Sequence, residues 1–267
     1  MEAYRDNESY GRFADIYERL MADVPYDEWT GRIMELLAEG DIRGGLCADL
    51  ACGTGSITRR LLAKGFDMIG IDISEEMLRI AREREMTLKG SDINKDTEEE
   101  RQEILYLQQD IRSFELYGTV RAVICACDSI NYILRPDEVE QVLSLVNNYL
   151  DPGGMLILDF HTPYYFSEVL GEETITEVDD DMALIWENEE RGNGEHISWL
   201  TVFTKEKDES YSRSEEEHLQ RGYTIDEMRK LAENAGLKEI HFYDGYSALD
   251  VREDSERIVM TARENGK

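Results

Sequence analysis

No apolar run in the 267-residue sequence reaches the roughly 18 residues that a membrane-spanning helix needs. The opening stretch, MEAYRDNESYGRF, lacks the basic n-region and apolar h-region of a secretory signal. The expected compartment is therefore the cytoplasm. Cysteine is scarce, with Cys47, Cys52, Cys125 and Cys127 making up all four. No CxxC pair occurs, and no nearby histidine or cysteine completes a zinc set. Cys125 and Cys127 fall on one face of a strand; the four read as reduced, buried thiols, and no metal is expected. Basic residues are outnumbered, 29 Lys and Arg against 59 Asp and Glu, for a net charge of −30. Affinity for nucleic acid comes largely from Lys and Arg contacts to phosphate, so DNA and RNA are not expected partners. The acidic excess serves solubility. There is no internal repeat.

Hydrophobic residues make up 41% of the chain, enough for a sizeable core. LCADLA, DMIGIDI, ILYLQQD, VRAVICACD and MLILDF read as buried strands. Between them, SITRRLLAKG, SEEMLRIARERE and PDEVEQVLSLVNNYL read as helices. Gly65 stops the first, Ser74 caps the second, and Pro136 opens the third, with DPGG ending it. KGSDINKDTEEERQ reads as an exposed loop. Strands alternating with helices imply an α/β fold with a doubly wound, mostly parallel sheet.

After strand five the pattern changes. MALIWENEERGNGEHISWLTVFTK reads as two strands joined at Gly192-Asn193-Gly194, and ESYSRSEEEHLQRGY as a third antiparallel strand. TIDEMRKLAENAG is a helix with Thr224 as N-cap and Gly236 just past its end. LKEIHFYDGY and SERIVMTARE read as closing strands. The expected organisation is a core of residues 1–171 and 221–267, with an antiparallel β insertion over 172–220. Residues 8–40 read as two helices joined by VPYDEW that cover the core. The insertion's alternating faces suit either a homodimer or a fold over the site.

The stretch ADLACGTGSITRRL places Gly53 and Gly55 between a strand and a helix, where a backbone without Cβ atoms lets a ligand approach closely. One reading is the dinucleotide fingerprint GxGxxG, but its third position is Thr58. The other is a site for a smaller nucleoside without phosphates. Asp72 ends the next strand, where an acid accepts from ribose hydroxyls. Asp110 ends the third strand, so Asp49, Asp72 and Asp110 ring one edge of the sheet. That ring suits a cationic ligand bearing ribose and adenine better than a diphosphate.

With these residues in place, the sequence resembles the class I S-adenosylmethionine-dependent methyltransferases from about Tyr10 to the last strand. DLACGTG resembles their glycine-rich motif, GIDISEEML the ribose-acid motif, QQDI the adenine motif, and LDPGG the turn before strand five. Ala51 stands where the family usually has glycine. The resemblance implies a Rossmann-like methyltransferase fold and S-adenosyl-L-methionine as cofactor. By its residue roles, Asp49, Ala51, Gly53 and Gly55 shape the pocket around the methionine part. Asp72 takes the ribose hydroxyls, with Ile73 and Met77 near adenine. Asp110 accepts from the adenine amino group, with Ile111 beside the ring. Cys127 lies near the methionine end, and FADIYERLM resembles a covering helix, with Tyr10 and Tyr17 as its candidates.

Methyl transfer is an in-line displacement in which the protein aligns the nucleophile and excludes water. Candidate acceptor-side residues lie in CDSINY, DFHTPYY and HLQRGY, expected to converge at the carboxyl edge. Asp128 and Asn131 are candidates to orient a polar acceptor. His161 is the general-base candidate by its near-neutral intrinsic pKa. Tyr132, Arg221 and Tyr223 are candidate substrate contacts, with Arg221 suited to a carboxylate. Tyr26 and Trp29 either line the same mouth or staple the helices. The leading expectation is methyl transfer to a small-molecule acceptor. The alternatives are a tRNA- or protein-directed methyltransferase, a non-catalytic S-adenosylmethionine-binding regulator and, last, an NAD-dependent dehydrogenase.

Overall fold

The computed structural model describes residues 17–91 and 103–266. A helical turn over 17–20 leads to α1 (Tyr26–Glu39). Then come β1 (Gly45–Leu50), α2 (Ser56–Ala63), β2 (Phe66–Asp72), α3 (Glu75–Ser91), β3 (Leu105–Gln108) and β4 (Val120–Cys125). A 3₁₀ turn (Ser129–Tyr132) precedes α4 (Pro136–Tyr149) and β5 (Leu150–His161). After a π-helical turn (Tyr165–Leu170) run β6 (Thr174–Val178), β7 (Met182–Gly192), β8 (Glu195–Lys205) and β9 (Tyr211–Arg221). The chain closes with α5 (Ile225–Asn234), β10 (Lys238–Asp244) and β11 (Arg257–Arg263).

The main sheet has seven strands in the order β10-β11-β5-β4-β1-β2-β3. Strands β3, β2, β1, β4 and β5 are parallel, whereas β11 is antiparallel to both β5 and β10. The doubly wound, mostly parallel expectation holds. Strand order reverses between β1 and β4, and open α/β sheets bind ligands beyond the carboxyl ends at that point. Apolar faces of α4 and α5, including Val142, Leu143, Met228 and Leu231, cover one side of the sheet. Ile33, Leu37, Ile57, Leu61 and Leu78 from α1, α2 and α3 cover the other. Each such side chain, fully buried, contributes about 1.5–3 kcal/mol.

Local signals act as expected at several ends. The Ser74 hydroxyl accepts from Met77 N–H, and Thr224 with Glu227 forms a reciprocal capping box. Asn193 and Gly194 both take positive φ, 56° and 75°, as a two-residue hairpin turn requires. The four-stranded second sheet is ordered β6-β7-β8-β9.

Some elements differ from expectation. The antiparallel sheet gains β6, an edge strand exposed along its whole length, so it has no buried periodic face to reveal it. DPGG does not end a helix and wait for the strand. It lies inside β5, where the pairing with β4 shifts register. Helix α3 runs on to Ser91, taking in the start of KGSDINKDTEEERQ; the rest of that segment lies outside the described residues. Tyr10 and the first half of FADIYERLM also lie outside them. Among the described residues, no helix is long and apolar enough to cross a membrane.

Candidate active site

Beyond β1 the chain turns through left-handed backbone at Ala51 (φ 55°), Gly53 (φ 54°) and Gly55 (φ 74°). A Cβ on Gly55 would lie 2.7 Å from the Tyr106 hydroxyl, whereas one on Gly53 would meet nothing within 4 Å. Gly55 is thus required by packing, and Gly53 presents bare backbone to open space. Ala51 holds a conformation that costs an L-residue about 1–2 kcal/mol. The glycine loop is tied to the N-terminal turn because the Thr54 hydroxyl donates to Glu18, which also pairs with Arg84.

Asp72 ends β2 and is 8% exposed. Its two oxygens accept from Gly53 N–H and Ser74 N–H, each at 2.8 Å. Burial raises its carboxyl above the ordinary range. Asp49 lies deeper, taking a 2.5 Å hydrogen bond from the Thr58 hydroxyl. Burial pushes it up to about 7, with the charge of Asp72 adding to the effect. The third acid of the ring, Asp110, is partly exposed and held by Arg112, whose guanidinium reaches both oxygens at 2.6–3.0 Å. That hydrogen-bonded cation keeps its carboxyl below the ordinary range.

Ile73, beside Asp72, is 53% exposed. Ile111 packs against the α4–α5 side of the core. Met77 and Tyr17 join a cluster with Leu184, Leu200 and Val202 of the second sheet, so that sheet leans over the start of α3. A nucleoside fits this edge. Asp72 ends β2, Asp110 follows the neighbouring β3 by two residues, the exposed Ile73 adjoins Asp72, and bare backbone at Gly53 faces open space. The Asp72 carboxyl suits ribose hydroxyls and opposes a diphosphate, while Asp49, raised to about 7, and Asp110, paired with Arg112, add little charge of their own.

The other half of the edge is an ion-pair cluster. Cys127 (φ 60°) and Asp128 (φ 51°) turn sharply after β4. Both of their N–H groups donate to the fully buried Asp159, at 3.1 and 2.5 Å. Asp159 also accepts from the Tyr246 hydroxyl (2.7 Å) and from Arg257 Nη1 (3.0 Å). Arg257 Nη2 bridges to Asp128 Oδ1 and His161 Nε2, each at 2.7 Å. Burial opposes the charge on Arg257, but Asp159 and Asp128 outweigh it and hold the guanidinium protonated. Its other face lies 5.0 Å from the Trp29 ring, which stacks on Tyr246 at 4.5 Å. Burial, with Asp159 and Asp128 beside it, pushes the Cys127 thiol up, so it stays protonated.

This cluster sets the character of His161. Its Nδ1 lies 3.2 Å from the Glu256 carbonyl, which can only accept, so Nδ1 carries the proton. Nε2 then accepts from Arg257. Burial first, and the Arg257 charge second, lower its pKa to about 3. An imidazole so placed is neutral and a weak base, so the general-base reading loses its physical support.

The three acceptor-side segments do converge. Asn131, fully buried, donates to the carbonyls of His161 (2.9 Å) and Arg221 (2.7 Å) and accepts from His161 N–H (2.9 Å). Its amide ties its own turn to the His161 and Arg221 segments, and both of its N–H donors are spent on their carbonyls. Gln220 Nε2 reaches Asp128 Oδ2 at 3.3 Å, and the Tyr132 hydroxyl lies 3.0 Å from His218 Nδ1. Tyr132 remains 48% exposed. Arg221 pairs with Glu227 at 2.7 Å and stacks on Tyr223, with one buried guanidinium nitrogen, Nη1, unpartnered. Tyr223 is core: it is 0% exposed and its hydroxyl donates to the Ile133 carbonyl, so it presents no polar group to a substrate.

Arg257 escaped the sequence reading. Its one signal is a cation leading the apolar run IVM in a closing strand. Because β11 is antiparallel to β5, the start of β11 lies at the carboxyl edge, with Arg257 opposite His161 and Val259 opposite Asp159.

Residues 47–154 match the family model described as a methyltransferase domain. Over 257 residues the chain is 32% identical to the Bacillus subtilis (strain 168) protein named "Putative methyltransferase YqeM", covering 96% of this chain and 97% of that one. The crystal structure of an S-adenosylmethionine-dependent methyltransferase from Clostridium acetobutylicum ATCC 824 superimposes with a TM-score of 0.85 at 29% identity, covering 96% and 99%. A third relative is the dTDP-3-amino-3,4,6-trideoxy-alpha-D-glucopyranose N,N-dimethyltransferase of Streptomyces venezuelae, 25% identical over 161 residues and covering 60% of each chain. With that kinship over nearly its whole length, and an edge that suits a nucleoside, the chain belongs to the class I S-adenosylmethionine-dependent methyltransferases.

Proposed function

We propose that this enzyme methylates the nitrogen of a small, polar amine. The observation that carries the reading is the charge of the cluster beyond β4 and β5. Two carboxylates, Asp128 and Asp159, face one guanidinium, Arg257, while His161 is neutral. The surplus negative charge favours an amine over a carboxylate or phosphate acceptor. The sugar N,N-dimethyltransferase among the relatives, which is named for an amino-sugar substrate, supports the same class.

On this reading Asp72 holds the ribose hydroxyls, while Asp110, with Ile111 and Ile73, holds the adenine. Gly53 allows close approach of the backbone. The bound cofactor supplies a methyl group on an electrophilic sulfonium. Asp128, anchored by Arg257 and partly open to solvent, would accept a hydrogen bond from the neutral amine and orient its lone pair; the nitrogen–carbon bond would form as the carbon–sulfur bond breaks, and the ammonium product would release its extra proton to solvent. Trp29, Tyr246 and Tyr26 wall off water. Asn131 and Arg257 act as positioning residues.

The test is formation of S-adenosylhomocysteine from S-adenosylmethionine with D-glucosamine, D-glucose and unfractionated tRNA. Turnover with glucosamine but not glucose is expected, reduced ~100-fold or more in Asp128→Ala. Turnover on tRNA or on glucose alone would reject the amine reading.

A further inference from the structure

The inner face of β8 carries His196, Ser198, Leu200 and Val202, all buried. Leu200 and Val202 pack on Met77 and Ile80 of α3, so this face looks toward the carboxyl edge of the main sheet. His196 is 2% exposed, and both of its ring nitrogens are buried without a hydrogen-bond partner. Interiors seldom leave such atoms unpaired, because each one stays desolvated with nothing in return. Farther along the same face, the indole N–H of Trp186 is buried without an acceptor as well.

His196 pairs across the sheet with Glu190 on β7 and Gln220 on β9. Directly opposed side chains lie about 5 Å apart at Cβ, and Gln220 itself reaches Asp128. Phe166 stands on the other side, its ring 5.5 Å from His196 and 6.1 Å from His161. His196 is therefore one side chain beyond the Asp128–His161 end of the cluster. Ser198 and Asn188, in the next row, bond each other at 2.7 Å and leave the imidazole alone.

We infer that His196, with Gln220 and Phe166, forms a distal subsite that binds a hydroxyl group of a hydroxylated small amine whose nitrogen lies at Asp128. A neutral imidazole offers one donor and one acceptor, and a hydroxyl answers both. Phe166 offers an apolar surface to the carbon skeleton between the two polar ends. The inference rests on the amine reading above and adds the part of the acceptor remote from the reacting atom. It also assigns the second sheet a role in specificity.

The experiment compares wild type, His196→Leu and His196→Gln. Without ligand, removing an unpaired buried imidazole raises the melting temperature of the Leu variant by about 2–4 °C. An imidazole already satisfied by internal water would instead be missed, and the melting temperature would fall. Calorimetric titration of the S-adenosylhomocysteine complex with D-glucosamine and cyclohexylamine reads the subsite. Glucosamine affinity is expected to drop at least ~10-fold in His196→Leu and to be partly restored in His196→Gln; cyclohexylamine affinity is expected to stay level. A fall in the Leu variant's melting temperature, or equal glucosamine affinity in wild type and the Leu variant (undetectable in both included), overturns the subsite. Failure of the amine reading itself appears separately, as absence of S-adenosylhomocysteine formation from any amine.

Discussion

Replacing Arg257 with methionine isolates the ion-pair cluster from the rest of the site. Asp159 is fully buried and receives Cys127 N–H, Asp128 N–H, the Tyr246 hydroxyl and the guanidinium. Removing Arg257 leaves three dipolar donors and no countercharge. Breaking a buried pair by deleting one partner costs about 3–5 kcal/mol. The surviving hydrogen bonds place this case at the lower end, about 3 kcal/mol. At about 2–4 °C per kcal/mol for a chain of this size, the expected drop in melting temperature is about 6–12 °C by calorimetry. Adding Asp159→Asn to the same chain removes the stranded charge and should recover a substantial part of the loss. His161 gives an independent readout, because the variant removes both the donor to Nε2 and the neighbouring positive charge. Its pKa should rise from about 3. Burial, the larger cause, persists, so it should stay below the ordinary value of about 6.5. Imidazole titration by NMR measures this. A melting temperature within about 1 °C of wild type, or an unmoved His161, would refute the account of the cluster.

Three further outcomes are expected. Asp72→Ala should weaken S-adenosylhomocysteine binding by about 1.5–3 kcal/mol, the value of hydrogen bonds to a charged group; affinity within twofold of wild type in a calorimetric titration would remove Asp72 from the site. Asp49, raised by burial to about 7 from an ordinary 3.8, keeps its proton in the folded chain where the unfolded chain has lost it. Its contribution to stability therefore falls as pH rises from about 4 to 7 and is level above that, about 4 kcal/mol in all at 1.36 kcal/mol per pH unit. Asp49→Asn should thus gain on wild type by about 3 kcal/mol between pH 5 and pH 8 in urea unfolding, and parallel pH profiles would contradict the buried carboxyl. Ala51→Gly should relieve about 1–2 kcal/mol of left-handed backbone strain against about 0.4–1 kcal/mol of added unfolded-state entropy, for a small rise in melting temperature; a fall would show that the Ala51 methyl group packs productively.

Period, caps and motif order are local properties, and the chain expresses them locally. Strand and helix alternation, Ser74 and Thr224 as caps and the Asn193-Gly194 turn each depend on residues within a few positions, so they are legible without the fold. The same holds for the glycine loop followed by Asp72 and Asp110, since Asp72 ends β2 and Asp110 follows β3 by two residues, and these strands are neighbours in the sheet in chain order. The acceptor half of the edge is different in kind. Any of 59 acids can pair with any of 29 bases on charge alone. Only the antiparallel entry of β11 beside β5 selects Arg257 for Asp128 and Asp159. That pairing decides the chemistry of a third residue: His161 has a histidine's ordinary basicity by type and loses it to burial and a neighbouring guanidinium. Asn131 is likewise polar by type and becomes a clamp because two distant carbonyls close on its amide. Residue type and motif order determined the family and, with it, a cationic nucleoside cofactor. Which side chains remain free to meet the acceptor was decided by desolvation and long-range pairing, which exist only once the chain has folded.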